Sequence, residues 1–360
     1  MERLSLETQT LYAELIERLT ALEAHRTIAH LRGSFALKEV KGKAYYYFKH
    51  SEPGDVVREI YVGRKTPELD RVVERFHQEH GVFNLDNEGI ERICSMLRAG
   101  GIQIIDTASA RVLRAFEESG VFYLDGVLVG THAFIAMGNM LGVKWERSTA
   151  RTHDIDIAGL PSMGIALPYL EADIPKALKS LEMGFFPVPP FDNKNPSVSF
   201  SVRGHSLRVD MLTPQRKPED TAPVVIPRFK TAAQPLMFLD YLIEKPVRVA
   251  AINGGAVLVN IPQPARFAFH KLIVYGARDA AMHVKAGKDL QQAGMLFSFL
   301  AGERSGDLII AWEEIKRRGK YWIKRVQAGL LALKKKYPDQ YMSIREMSFA
   351  EGTLKVLGLF

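Results

Sequence analysis

Apolar residues Leu11, Leu15, Ile16, Leu19 and Leu22 recur at helical spacing and predict an amphipathic helix over residues 7–29. The pattern then turns to alternation. Residues 33–40 and 44–49, separated by Lys41-Gly42-Lys43, read as a β-hairpin, and residues 56–62 read as a third strand. Helical spacing returns over 67–80, 88–99 and 108–118. From 121 to 262 the pattern is one of short apolar runs, expected as strands, at 121–129, 153–158, 198–202, 206–212, 237–243, 247–252 and 257–261. Helices are expected between them at 131–140 and 173–183. Beyond Pro262 and Pro264 the spacing is helical again, over 265–275, 280–300, 306–317 and 322–336. Three units follow: an N-terminal helical and hairpin module at 1–105, an α/β (α+β) core at 106–262, and a helical region at 263–360.

Composition narrows the class. With 47% apolar and 25% charged residues in 360, the chain has enough apolar surface for a sizeable core and is expected to fold throughout. The net charge of +7 favours an anionic partner, a nucleotide or a nucleic acid. The single cysteine, Cys94, excludes an internal disulfide and lies in a helical pattern, where a buried, inert thiol is expected. No segment approaches the apolar length of a membrane span, and the start lacks a signal-peptide pattern, so a cytoplasmic location without membrane contact is expected.

Three stretches carry candidate chemistry. In Thr152-His153-Asp154-Ile155-Asp156-Ile157, alternation puts both aspartates on one face of a strand, where they repel unless a cation or a proton intervenes. In Val127-Leu128-Val129-Gly130-Thr131-His132, an apolar strand turns at a glycine into a helix, whose first turn offers free amides to a phosphate. In Arg208-Val209-Asp210-Met211, an acid sits among apolar neighbours, which is costly without a partner. If the last strand lies beside Asp154 and Asp156, three carboxylates converge below Gly130-Thr131 as a two-metal site next to a phosphate cradle.

In this order the three pieces resemble the polymerase-beta-like nucleotidyltransferase superfamily: a strand ending at a small residue and a helix start, an Asp-x-Asp strand, and a later strand with one acid. More closely, GSFALKEVKGKAYYYFK, THDIDIA, PARFAFHKL and KAGKDLQQA resemble a bacterial nucleotidyltransferase family with an N-terminal helix-and-hairpin extension. Two departures stand out: threonine at 131 in place of serine or glycine, and Asp125-Gly126 within the strand before the turn. The resemblance implies a mixed-sheet nucleotidyltransferase core. It also implies transfer of an NMP from an NTP to a hydroxyl acceptor with release of pyrophosphate, using Mg²⁺ or Mn²⁺ held by Asp154, Asp156 and Asp210. Asp210 would also serve as the base. Gly130 and Thr131 would line the triphosphate, and Lys271 and Lys288, on the helices after Pro264, would bind its phosphates. Asp289 would pair with Lys285. The implied partners are an NTP, a macromolecular acceptor (RNA ahead of protein) and, as in toxin relatives, a cognate antitoxin.

The same residues admit other readings. His153-Asp154 with His132 and Asp210 is the ligand chemistry of metal phosphohydrolases, but those enzymes place the pair on a helix, whereas Ile155 and Ile157 alternate as in a strand. Glycosyltransferases carrying Asp-x-Asp open with a nucleotide-binding βα unit, and here helices and a hairpin come first. No P-loop or dinucleotide fingerprint occurs. An inactive core serving only to bind nucleic acid is a third reading. It draws on Tyr45, Tyr46, Tyr47 and Phe48 between Lys41, Lys43 and Lys49, though about half of those rings are expected in the core of the hairpin.

Overall fold

The computed structural model describes residues 1–24, 33–52, 56–146, 152–161, 171–189, 196–277 and 283–345. Strand β1 (Glu2–Arg3) leads into helix α1 (Leu6–Ala24). Residues 25–29 of the predicted first helix lie outside the described residues. An antiparallel sheet follows, β2 (Gly33–Val40), β3 (Lys43–Glu52) and β4 (Val56–Arg64), with β3 in the middle. Its inner face is folded onto helix α2 (Pro67–Ala99), where Phe35 and Phe48 meet Phe76 edge-on with ring centroids 4.9 and 5.7 Å apart. Tyr46 on the same face donates to Asp70 at 2.7 Å.

The 67–80 and 88–99 patterns are one continuous helix of 33 residues. A glycine such as Gly81 costs a helix only about 1 kcal/mol, too little to divide one capped by Thr66 and started by Pro67. Cys94 is buried on this helix, as its pattern implied.

Helix α3 (Thr107–Glu118), capped by Asp106 accepting from the Ser109 amide at 2.9 Å, leads to β5 (Val127–Val129) and α4 (Gly130–Leu141). The strand expected over 121–129 is cut to three residues, because Asp125 adopts φ 60° and the chain before it coils through turns. Asn260 pins that coil by donating to the carbonyls of Phe122 at 2.6 Å and Gly126 at 3.0 Å. After α4 come β6 (Val143–Lys144), which pairs β1, then β7 (Asp154–Ala158), α5 (Ile174–Ser180), β8 (Phe185–Pro187), β9 (Ser199–Val202) and β10 (Arg208–Pro214). Next are β11 (Val224–Ile226), β12 (Thr231–Leu236), α6 (Leu239–Ile243), and the hairpin β13 (Val247–Asn253) and β14 (Gly255–Ile261).

The central mixed sheet is ordered β11-β12-β10-β7-β5, with β9 pairing β10 and β8 pairing β9. Its middle pairs β7–β10 and β10–β12 are parallel, and its other pairs are antiparallel. The strand expected over 237–243 is a correction: the strand is β12, six residues earlier, and 239–243 is helix α6. An apolar run of that length fits either state, and Phe238 at φ 66° ends the extended chain there.

The C-terminal helices are α7 (Pro264–Ala277), α8 (His283–Glu303), α9 (Ser305–Arg317), α10 (Lys320–Lys336) and α11 (Pro338–Arg345). They are fastened to α6 through the fully buried Arg266, which donates to the Tyr241 carbonyl at 2.7 Å and to Glu244 at 3.1 Å and also pairs with Glu314. A buried guanidinium is tolerated only with such a full set of acceptors. The set fixes where α7 stands over the sheet.

Candidate active site

Strands β7 and β10 run parallel with Arg208 opposite Asp154 and Asp210 opposite Asp156. On the flanks, β5 sets Val129 opposite Asp156 and β9 sets Ser199 opposite Asp210. One row across the sheet therefore reads Val129, Asp156, Asp210, Ser199, and paired residues share a face. The alternate residues Ile155, Ile157, Val209 and Met211 are fully buried on the other face. That burial is what holds the three aspartates upward: a one-residue slip in either strand would bury them.

Gly130 closes the turn from β5 into α4 at φ 69°, a conformation that favours glycine. A Cβ there would overlap the Asp156 carboxylate, so the turn passes directly over that side chain. Thr131, half-buried, occupies the first turn of α4. Asp156 is partly buried and its carboxyl is pushed up to about 6, first by burial and then by the charges of Asp210 and Asp154, against the pull of Lys271 and His132.

Opposite the sheet stand α7 and α8. Lys271 donates to Asp289 at 2.5 Å and lies over the Phe267 ring, 5.0 Å from its centroid. Burial and the neighbouring Lys271 charge push the Lys288 ammonium down, opposed by Asp289 and Asp154. Between the two walls is a cavity of about 400 Å³. Asp156, His270, Lys271 and Asp289 supply its polar lining, and Leu212, Leu236, Phe238 and Leu242 are among its apolar residues.

Of the expected site residues, Asp156 and Lys271 line the cavity. Gly130 closes over Asp156, with Thr131 next in the first turn of α4. Asp154 and Asp210 stand near Asp156 on its sheet face, and Lys288 lies near Lys271 and Asp154. The side chain of Lys285 lies outside the described residues, and the acceptor expected for it, Asp289, bonds to Lys271.

Neither Arg208 and Ser199 beside the aspartates nor a bracing role for His132 was expected from the sequence. Asp210 accepts from Arg208 Nε at 2.7 Å and from Ser199, and Arg208 Nη2 donates to Ser199 at 2.9 Å. Alternation alone could have placed Arg208 on the aspartate face, since it lies two residues before Asp210. Ser199 could be found only through strand pairing. His132 is buried, with Nδ1 3.0 Å from the Asp154 carbonyl and Nε2 3.8 Å from Asp106. Burial works to raise Asp106, but the nearby His132 imidazole and the hydrogen bonds from Ser109 hold it below the usual carboxylate range. His132 therefore braces β7 from within the core.

Lys271 is the main positive influence on Asp156. Replacing it by Met is expected to raise the Asp156 pKa further, read by carboxyl ¹³C NMR titration of the metal-free protein. An unmoved titration would show that the two groups do not sense each other.

A mixed sheet with a glycine turn over paired aspartates is a nucleotidyltransferase-type fold. The nucleotidyltransferase family model matches residues 107–317, more than half of the chain, and the chain belongs to that family. The match runs from α3 to the end of α9, taking in the cleft and leaving out the N-terminal sheet. Among solved structures, an antigenic nucleotidyltransferase-like protein from Paracoccidioides brasiliensis is similar over 65% of this chain and 90% of its own, at 16% identity and a TM-score of 0.35. So loose a likeness adds nothing to the site. No curated protein matches the chain.

Proposed function

We propose that the chain transfers an NMP from an NTP to a hydroxyl on a macromolecular acceptor, RNA or protein, at the cleft between the sheet and α7–α8, with Mg²⁺ or Mn²⁺. We place it in the branch of the family that carries an N-terminal helix-and-hairpin extension. The observation that carries this reading is the register that sets Asp210 beside Asp156, under the Gly130 turn and facing Lys271.

The residues fit a divalent cation by charge. Asp156 is strained toward protonation by burial and by two neighbouring carboxylates, and a cation neutralises that charge as a proton would. Among the described residues no three His, Cys, Asp or Glu side chains already close on one point. Asp210 is turned to Arg208 and Ser199, so a metal bound with Asp154 and Asp156 would have to draw Asp210 from that guanidinium. When bound, such ions neutralise the phosphates and lower the pKa of the attacking hydroxyl.

The chain's own groups divide the remaining work. The α4 amides after Gly130, with the Thr131 hydroxyl, receive phosphate oxygens. Lys271 and Lys288 offset the negative charge of the triphosphate and of the departing pyrophosphate. The apolar wall of the cavity, with a volume in the range of small-ligand sites, shelters the nucleoside. In the transfer, the acceptor oxygen bonds to the α-phosphorus as the bond from that phosphorus to the pyrophosphate oxygen breaks. The acceptor proton passes to Asp210.

The test is to incubate the purified chain with Mg²⁺, each α-³²P-NTP in turn and a cell lysate. Label is expected in a macromolecular fraction, and RNase or protease then identifies the acceptor. Label confined to small molecules would contradict a macromolecular acceptor, and no transfer with any NTP would contradict the activity.

A further inference from the structure

The N-terminal sheet lies outside the matched family region and has a face that its own fold leaves uncovered. Register sorts its residues. Tyr46, Phe48 and Phe35 share the face packed on α2, while Tyr45, Tyr47, Lys43 and Lys49 of β3 point the other way, with Lys38 of β2 and Tyr61 and Arg64 of β4 beside them. Tyr46 therefore belongs to the core, where it is 8% exposed, and not to any surface platform.

On the outward face the three tyrosines touch. Tyr61 meets Tyr45 at 6.0 Å and Tyr47 at 5.6 Å between centroids, and Lys38 stands 5.0 Å over the Tyr47 ring. Tyr61 is 56% exposed although its two ring neighbours hold it in place. A large ring fixed but left in water is not explained by packing.

Charge gives the complement. Residues 33–65 hold seven lysines and arginines against four acids. Among the described residues the single acid on the outward face, Glu59, is already taken by Lys38 at 2.5 Å. Lys43, Lys49 and Arg64 are exposed and have no carboxylate partner among the described residues. Fixed rings flanked by exposed cations suit bases that stack and phosphates that run alongside. Stacking on a flat sheet needs unpaired bases, and RNA is the nucleic acid that commonly presents them.

We propose that the outward face of the β2-β3-β4 sheet binds single-stranded RNA, with a base stacked on Tyr61 in its Tyr45–Tyr47 setting and the backbone following Lys43, Lys49 and Arg64. The proposal does not depend on the transferase reading: binding at this face needs neither NTP nor metal.

The test uses the full chain, without nucleotide or divalent ion, and a fluorescein-labelled twelve-nucleotide RNA of mixed sequence, read by anisotropy at two salt concentrations. Tyr61→Ala is expected to weaken binding roughly five- to a hundredfold, and Tyr61→Phe, which keeps the ring, to bind like the wild type. The Lys43→Ala, Lys49→Ala, Arg64→Ala variant is expected to reduce the slope of log affinity against log salt by about 2. Duplex RNA and a polyglutamate peptide of equal length should bind more weakly. The proposal is overturned if wild type fails to bind, if the Tyr61→Ala and triple variants bind like wild type, or if DNA of the same sequence, duplex RNA or polyglutamate binds as well as the RNA. Transfer can fail while this binding persists, and Asp156→Asn, impaired only at the cleft, should bind the RNA unchanged.

Discussion

Asp156→Asn is expected to lower NMP transfer by about a thousandfold or more while making the metal-free protein more stable at neutral pH. Both effects come from the same side chain. Asp156 ionises near 6 in the folded chain against an ordinary 3.8, because burial and the Asp210 and Asp154 charges oppose its negative form. The unfolded chain therefore gives up this proton first, and folded stability falls as pH rises from about 3.8 through about 6, the whole penalty being present above that window. Asparagine has no charge to bury, so the variant should gain on the order of 2 kcal/mol at pH 7.5 and nothing at pH 3.5. Thermal melts in EDTA at those two pH values check the sign. Adding Mn²⁺ should then raise the Tm of the wild type and leave the variant nearly unmoved. A variant that transfers normally, or one destabilised at pH 7.5 in EDTA, would mean that Asp156 is a structural residue whose charge is otherwise satisfied.

The second large effect is expected at the turn above it. Gly130→Val should raise the Kd for NTP by at least about tenfold, and transfer should fall with it. A side chain at φ 69° costs roughly 1–2 kcal/mol in backbone strain, and the valine Cβ would fall on the Asp156 carboxylate and push apart the strand and helix start that would receive the phosphates. Circular dichroism should show the fold retained, since the strain is confined to one turn at the rim of the sheet. Nucleotide affinity equal to wild type, in a folded variant, would reduce the glycine to a structural turn.

Much of this site was legible from the chain alone because strand alternation is a strict code. Ile155 and Ile157 must go to the core, so Asp154 and Asp156 must go to the other face, and the same holds for Val209 and Met211 around Asp210. Neighbouring strands cannot be read so directly. That β10 lies parallel to β7 with Asp210 level with Asp156 is a matter of register, and Ser199 reaches the carboxylate only because β9 pairs β10 on the far side. The run at 237–243 misled because an apolar stretch of seven residues carries no period long enough to separate strand from helix, and the left-handed Phe238 that decides it leaves no mark in composition. The break between 80 and 88 is absent from the fold because the helical backbone runs through it, and a glycine such as Gly81 costs a helix only about 1 kcal/mol. In the N-terminal sheet, the tyrosine run announced aromatic pairs, and only the pairing register shows which rings face α2 and which face water.

Transfer chemistry is tested most directly by supplying the same NTP in two forms, labelled at the α- or the γ-phosphate, to wild type and Asp156→Asn with Mg²⁺ and the acceptor fraction. Nucleotidyl transfer at this cleft predicts label in the acceptor from the α-labelled NTP only, labelled pyrophosphate released from the γ-labelled form, and neither product with the variant. Acceptor labelled from the γ-phosphate, or α-label transferred equally by wild type and Asp156→Asn, would contradict it.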